Sequence, residues 1–219
     1  MKVLIATRNK NKVRELKHIL ELNGMESLSL DEWDKGNTIP EIEEVGNTLR
    51  ENAFIKARTV FSLTGISTIA DDTGLEVDAL NGAPGIYSAR YAGEGCSYED
   101  NVNKLLENLE GVSADKRSAR FRTVACFIDG KTELSCEGIV EGYISEAPRG
   151  SKGFGYDPIF YLPELGKTFA QLTEEEKNQI SHRSKAMSNL IQCFPDKIIS
   201  NFESSTDSLI FSKIPGNRN

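Results

Sequence analysis

The chain holds only two histidines, and none of its four cysteines stands in a C-x-x-C pair. That spacing excludes the usual zinc frameworks, and Cys96, Cys126, Cys136 and Cys193 are read as reduced thiols rather than a disulfide frame. No apolar run approaches membrane-spanning length and no signal-like h-region follows the start, so a cytoplasmic protein without a membrane partner is expected. Positive charge is short as well: 26 Lys and Arg against 33 Asp and Glu, a net charge of −7. A general grip on nucleic acid needs a basic surface, and this balance argues against one. It leaves room for a local basic pocket around a small phosphorylated ligand. Neither a G-x-G-x-x-G nor a Walker-type glycine loop is present, so neither nucleotide fingerprint applies.

What the sequence does contain is organised around Ile69-Ala70-Asp71-Asp72-Thr73-Gly74-Leu75. It reads as a buried strand ending in two adjacent carboxylates and a Thr-Gly turn. Neighbouring strand side chains point to opposite faces, so Asp71 and Asp72 should not share one job unless the strand breaks there. Gly74 suggests a break. Carboxylates at such an end hold a divalent metal or position a water; the plainer reading is a solvated turn.

At 219 residues the chain is long enough for a sizeable core. Lys2 to Thr7 reads as a first buried strand, followed by a helix from Val13 to about Asn23 with an apolar stripe of Val13, Leu16, Ile19 and Leu20 and Gly24 as its cap. The connection, Thr7 to Lys12, is polar and basic: an anion site at a helix start, or a solvated turn. Residues 31 to 47 read as an acidic loop carrying Glu43 and Glu44. Thr48-x-x-Glu51 opens a helix that Gly65 ends, with Leu49, Ala53, Ala57, Val60 and Phe61 buried. Lys56 on its flank either snorkels or reaches a site. The stretch from Asn81 to Tyr91 reads as a functional loop, and Ser97-x-x-Asp100 opens another helix. Residues 118 to 129 and 133 to 145 read as a hairpin turning at Asp129-Gly130, and a third strand is expected from Phe154. Thr173-x-x-Glu176 opens a last helical region, in which Ser181 can cap a second helix. No repeat or linker appears, so one domain over residues 1–194 is expected, with 195–219 as an appended tail.

These residues also carry a resemblance. Thr7-x-Asn9-x-x-Lys12, Glu43-Glu44, Glu51-Asn52-Ala53-x-x-Lys56-Ala57, Ala70-Asp71-Asp72-Thr73-Gly74-Leu75, Gly82-Ala83-Pro84-Gly85-x-x-Ser88-Ala89-Arg90, Gly153-Phe154-Gly155-Tyr156-Asp157-Pro158 and Ser181-His182-Arg183 are arranged as in the inosine triphosphate pyrophosphatase family. The match runs from Lys2 to about residue 193, seven motifs in register. The resemblance implies an α/β fold, a long curved mixed sheet flanked by helices, with two lobes around a central cleft. It implies a magnesium-dependent homodimer that cleaves ITP, dITP and XTP to the monophosphate and pyrophosphate. Thr73 stands where Ser is more usual and keeps the hydroxyl; the tail has no counterpart.

Chemistry at the matching positions agrees. Mg²⁺ takes one or two carboxylates plus phosphate oxygens and waters, and Glu44 and Asp72 suit it. Asp72 is also the candidate to activate the water. Thr7, Arg8, Asn9, Lys10, Asn11 and Lys12, with Lys56 and Lys177, are expected on the phosphates, and Thr73 adds a hydroxyl. Phe154, Gly155, Tyr156 and Asp157 are expected at the base, with His182 and Arg183 at its edge. Two other readings stand beside this one: a catalytically silent nucleotide-binding protein, and a magnesium nucleotidyl- or phosphotransferase, for which no acceptor site is evident.

Overall fold

A computed structural model of the chain describes residues 2–195 and Ile198. The expected tail otherwise lies outside the described residues. The chain order is β1 (Lys2–Ile5), α1 (Lys10–Leu22), β2 (Glu26–Ser29), α2 (Leu30–Trp33), α3 (Leu49–Thr64), β3 (Thr68–Val77), β4 (Pro84–Gly85), α4 (Tyr98–Asn108), β5 (Ser118–Ile128), β6 (Glu133–Ile144), β7 (Phe160–Leu162), β8 (Lys167–Thr168), α5 (Glu174–Ile180) and α6 (His182–Gln192). The strands form one eight-stranded sheet in the order β2-β1-β3-β5-β6-β7-β8, with β4 added to β3. β1 runs parallel to β2 and β3, and the other pairs are antiparallel. The mixed sheet and its flanking helices are as expected. No helix among the described residues is long and apolar enough to cross a membrane.

Alternation along the strands sorts the core. Val3, Ile5, Ile69, Ala125 and Phe127 face α1 and α6, and Ile198 is buried with them. Leu4, Ala70, Val124 and Cys126 face α3 on the other side. Farther along the same strands, Leu75, Val77, Ala119 and Phe121 belong to a third cluster with α4, β7 and residues 169–172. The long strands β3, β5 and β6 thus connect two halves of the molecule.

Three expectations need correction. β3 does not break at Thr73-Gly74; it pairs with β5 without interruption from Thr68↔Ile128 to Val77↔Ala119. Gly74 is required for another reason: a Cβ there would stand 2.6 Å from the Gly85 carbonyl oxygen, so the 82–90 loop could not dock. Phe154 starts a turn, not a strand, and the strand begins at Phe160. Asp157 closes that turn by accepting from the Phe154 N–H at 2.9 Å. The acidic loop over 31–47 begins inside α2, which a Ser29–Glu32 capping box starts, and β2 precedes it.

Helix ends follow local chemistry. Ser97 and Thr173 form complete capping boxes, and Ser181 caps α6. Thr48 accepts from the Glu51 N–H, but the returning arm of Glu51 takes the Asn47 N–H instead, at 2.7 Å.

α6 lies directly on β6 at Gly138. A Cβ at that position would come within 2.1 Å of the His182 carbonyl oxygen and 2.3 Å of the Ala186 nitrogen, both backbone atoms. Gly138→Ala should therefore lift the start of α6 and cost about 3 kcal/mol or more, read as a lowered thermal midpoint. An unchanged midpoint would show that α6 shifts freely over β6.

Candidate active site

β1 ends at Ile5, paired with Ile69, and β4 begins to cover β3 only at Leu75. Between those points, residues 70–74 of β3 have no neighbouring described strand on that side of the sheet. Asp71, Asp72 and Thr73 lie in this opening, between the two halves of the core. Because the strand stays regular, the two carboxylates leave it on opposite faces and enter two different networks.

On the α3 side, Lys56 donates to Asp72 Oδ1 at 2.8 Å and to Glu44 Oε1 at 2.5 Å. Lys56 is buried, so it does not snorkel to the surface but reaches inward to these two carboxylates. Burial would lower its pKa, but Asp72 and Glu44 outweigh that and raise it, keeping the ammonium charged. For Asp72 burial is the largest influence and pushes the carboxyl up, against the pull of Lys56. Burial also pushes Glu44 up, yet Lys56 wins there and holds it below its ordinary value. Asn52 on α3 fixes the loop before the helix by accepting from the Gly46 N–H at 2.8 Å. Its own amide nitrogen is buried without a partner.

On the α1 and α6 side, Asp71 accepts from Arg183 Nε at 3.0 Å and pairs with Lys12 Nζ at 3.3 Å. Thr73 donates to Asp71 at 3.2 Å and accepts from Arg183 Nη2 at 3.1 Å. Arg183 Nη1 also donates to Glu15, a buried carboxylate on α1 that pairs in turn with Lys177 at 2.9 Å. Lys177 donates to Asp157 Oδ2 at 2.5 Å. The chain of charges runs Lys12, Asp71, Arg183, Glu15, Lys177, Asp157. Phe154 lies over its end, its ring centre 4.9 Å from Lys177 Nζ and 5.7 Å from the Arg183 guanidinium carbon.

Other expected site residues have different settings. Arg8 is turned to Asp31 and Asp34, at 2.8 Å each, and to the Ile39 carbonyl, so it clamps the loop after α2. Asn9 caps α1, its side chain accepting from the Asn11 and Lys12 N–H groups. Thr7 accepts from the Asn9 N–H at 3.2 Å. Lys10 is exposed and Asn11 half-buried. Tyr156 is core, its hydroxyl donating to the Ser88 carbonyl at 2.9 Å, and Gly155 takes a φ of 63° in the turn. His182 is buried against Phe121, ring centres 4.4 Å apart, with Nδ1 unpartnered. Burial, reinforced by Arg183 and Lys177, drives its pKa well below the ordinary value, so the imidazole is neutral.

Glu15 and Tyr98 are absent from the sequence reading, and Asn52 enters it only within the Glu51–Ala57 motif, with no role at the site. The Tyr98 hydroxyl accepts from Asn9 Nδ2 at 3.0 Å, and its ring lies 5.9 Å from Phe154. No described group of three or more His, Cys, Asp or Glu could hold a metal. Glu44 and Asp72 meet at one ammonium, that of Lys56, and one or two carboxylates are what a protein commonly offers a Mg²⁺ ion that takes its other ligands from phosphate and water.

The model of the Ham1 family matches residues 3–193. This chain belongs to the Ham1 family. A Bacillus licheniformis relative named dITP/XTP pyrophosphatase is 53% identical over 189 residues, 86% of this chain and 95% of the relative. A Vibrio cholerae protein of the same name is 48% identical over 199 residues, 90% of this chain and 98% of the relative. Among solved structures, the Staphylococcus aureus Ham1 protein superposes with a TM-score of 0.76 at 42% identity, covering 89% of this chain and 97% of that one. The family membership read from the motifs is borne out over residues 3–193.

The buried ion network makes stability depend on pH. Burial pushes the Asp71 carboxyl up, but Lys12 and Arg183 outweigh it, so its folded pKa lies below the ordinary carboxylate value. A depressed carboxylate contributes stability that is present above about pH 4 and is lost as pH falls toward the folded value. The urea midpoint should fall as pH drops below about 5, and Asp71→Asn should flatten that dependence. An equal slope in the variant would place the acid sensitivity elsewhere.

Proposed function

We propose that the protein hydrolyses non-standard purine nucleoside triphosphates (dITP, XTP and ITP) to the monophosphate and pyrophosphate, acting as a homodimer with a cleft between its two lobes. The observation that carries the reading is the pair of networks on β3: a carboxylate pair gathered on Lys56 on one face, and a buried guanidinium beneath Phe154 on the other.

The triphosphate lies across the opening in the sheet. Lys12, Lys56 and the start of α1 neutralise its oxygens and orient the chain for in-line attack. Glu44 and Asp72 would hold Mg²⁺, which when bound neutralises phosphate charge. Asp72 receives a proton from water as the water oxygen bonds the α-phosphorus. The bond from that phosphorus to the bridging oxygen breaks, and pyrophosphate leaves. Burial raises the Asp72 carboxyl toward the range of a working base, while Lys56 keeps it available as an anion. Phe154 supplies a ring face for the base, and Arg183 and His182 stand at its edge.

The test is product analysis across a panel of triphosphates with Mg²⁺. dITP, XTP and ITP should yield monophosphate and pyrophosphate, ATP should react little, and EDTA should stop the reaction. Orthophosphate as the first product would overturn the reading, and binding without turnover would leave a nucleotide-binding protein.

A further inference from the structure

Cys136 and Cys193 are 57 positions apart in the chain, yet their sulfurs lie 3.5 Å from each other. Cys136 sits half-buried on β6 and Cys193 is exposed at the C-terminal end of α6. A disulfide needs sulfurs at about 2.05 Å, so closure asks for a movement on the order of 1.5 Å. The helix is already fixed along the strand by Asn189 Nδ2, which donates to the Glu137 carbonyl at 2.8 Å, and by Lys185 Nζ, which donates to the Ile139 carbonyl at 3.1 Å. The other two cysteines are placed differently. Cys126 is buried and its thiol is pushed up to about 12, chiefly by burial. Cys96 turns to Asn101 and the Ala89 carbonyl. Neither Cys136 nor Cys193 takes part in the networks on β3.

We propose that Cys136 and Cys193 are an oxidisable pair that a peroxide converts to an intramolecular disulfide, stapling the end of α6 to β6. Cys193 reacts first, because it is exposed and because burial and the neighbouring thiol push Cys136 up to about 11. The Cys193 thiolate attacks one peroxide oxygen, the O–O bond breaks, and hydroxide leaves as water, giving a sulfenic acid. Cys136 sulfur, losing its proton, attacks the Cys193 sulfur. The S–O bond breaks, hydroxide takes that proton, and a second water leaves. Two thiols and one hydrogen peroxide become one disulfide and two waters. The bond ties down the point from which the chain continues to Phe194 and Ile198, both buried against α1 and the sheet.

The experiment uses the full native chain treated with hydrogen peroxide, then alkylated and mapped by mass spectrometry without reductant. A single cross-linked peptide joining Cys136 to Cys193 is expected, with half of the four thiols still free for alkylation. The rate should not depend on protein concentration. The thermal midpoint should rise by about 5 °C, because a loop of this length is closed in the unfolded chain, and dithiothreitol should reverse the rise. Cys136→Ser and Cys193→Ser should each abolish both changes. Over-oxidation of Cys193 with Cys136 still alkylated, cross-links between chains, or a linked form that melts no higher than the reduced one would each overturn the proposal.

Discussion

Asp72→Asn should lower dITP turnover by about 10²-fold or more while leaving the fold intact. The side chain keeps its shape, and Lys56 keeps Glu44 as a partner at 2.5 Å, so no buried cation is stranded. What disappears is the anion proposed to receive the proton, and with it half of the carboxylate pair on Lys56. Glu44→Gln separates those two roles. It leaves Asp72 in place, so turnover at saturating Mg²⁺ should recover far more than in Asp72→Asn, while the Mg²⁺ needed for half-activity rises. Asp71→Asn should behave in the opposite way, since Asp71 faces α1 and α6. Its loss leaves Lys12 and Arg183 under-compensated in a buried setting and should cost about 3 kcal/mol of stability. Similar turnover losses at Asp71 and Asp72 with no stability difference would mean that the two faces of β3 are not functionally distinct. Full activity in Asp72→Asn would reassign the base to Glu44.

Much of this arrangement was legible because its signals are local. Ser97, Thr173 and Ser181 mark helix starts through a hydrogen bond three residues long, and Asp129-Gly130 marks a hairpin for the same reason. Alternation along β3 assigned Asp71 and Asp72 to opposite faces, and the structure keeps that separation. What failed was inference from glycine. Gly74 looked like a break, but its cause is the carbonyl of Gly85 arriving from another segment, which no local pattern records. β2 is short and only part-buried at one edge of the sheet, so it leaves no alternation to find. Glu15 was hidden for a stronger reason. It sits beside an ordinary apolar stripe on α1, and only the arrival of Arg183, 168 residues later, makes a buried carboxylate necessary there. Asn52 and Tyr98 likewise become site residues through tertiary neighbours, Gly46 for one, Asn9 and Phe154 for the other.

Arg183→Ala should destabilise the protein and, in what remains folded, collapse the preference for dITP over dATP. Arg183 is 1% exposed, and both Asp71 and Glu15 depend on it. Removing one partner of a buried ion pair costs about 3–5 kcal/mol, so the thermal midpoint should fall by roughly 10 °C. The effect on selectivity has a separate origin. A guanidinium carries five N–H donors. Nε is taken by Asp71, and Nη1 and Nη2 spend one hydrogen each on Glu15 and Thr73, which leaves one N–H on each terminal nitrogen. The guanidinium carbon lies 5.7 Å from the centre of the Phe154 ring, on which the base is proposed to stack. Hypoxanthine and xanthine carry a carbonyl oxygen at ring position 6 that accepts from these donors. Adenine carries an amino group there and would leave them unpaired, at roughly 1–3 kcal/mol each. Because His182 is held neutral, it offers a single N–H, and Arg183 must supply most of the discrimination. Arg183→Lys keeps a cation for Asp71 and Glu15 but loses the planar fork, so it should recover stability more fully than selectivity. Equal losses for dITP and dATP in the lysine variant would make Arg183 a member of the ion network alone, and reading of the base would then fall to other residues around Phe154.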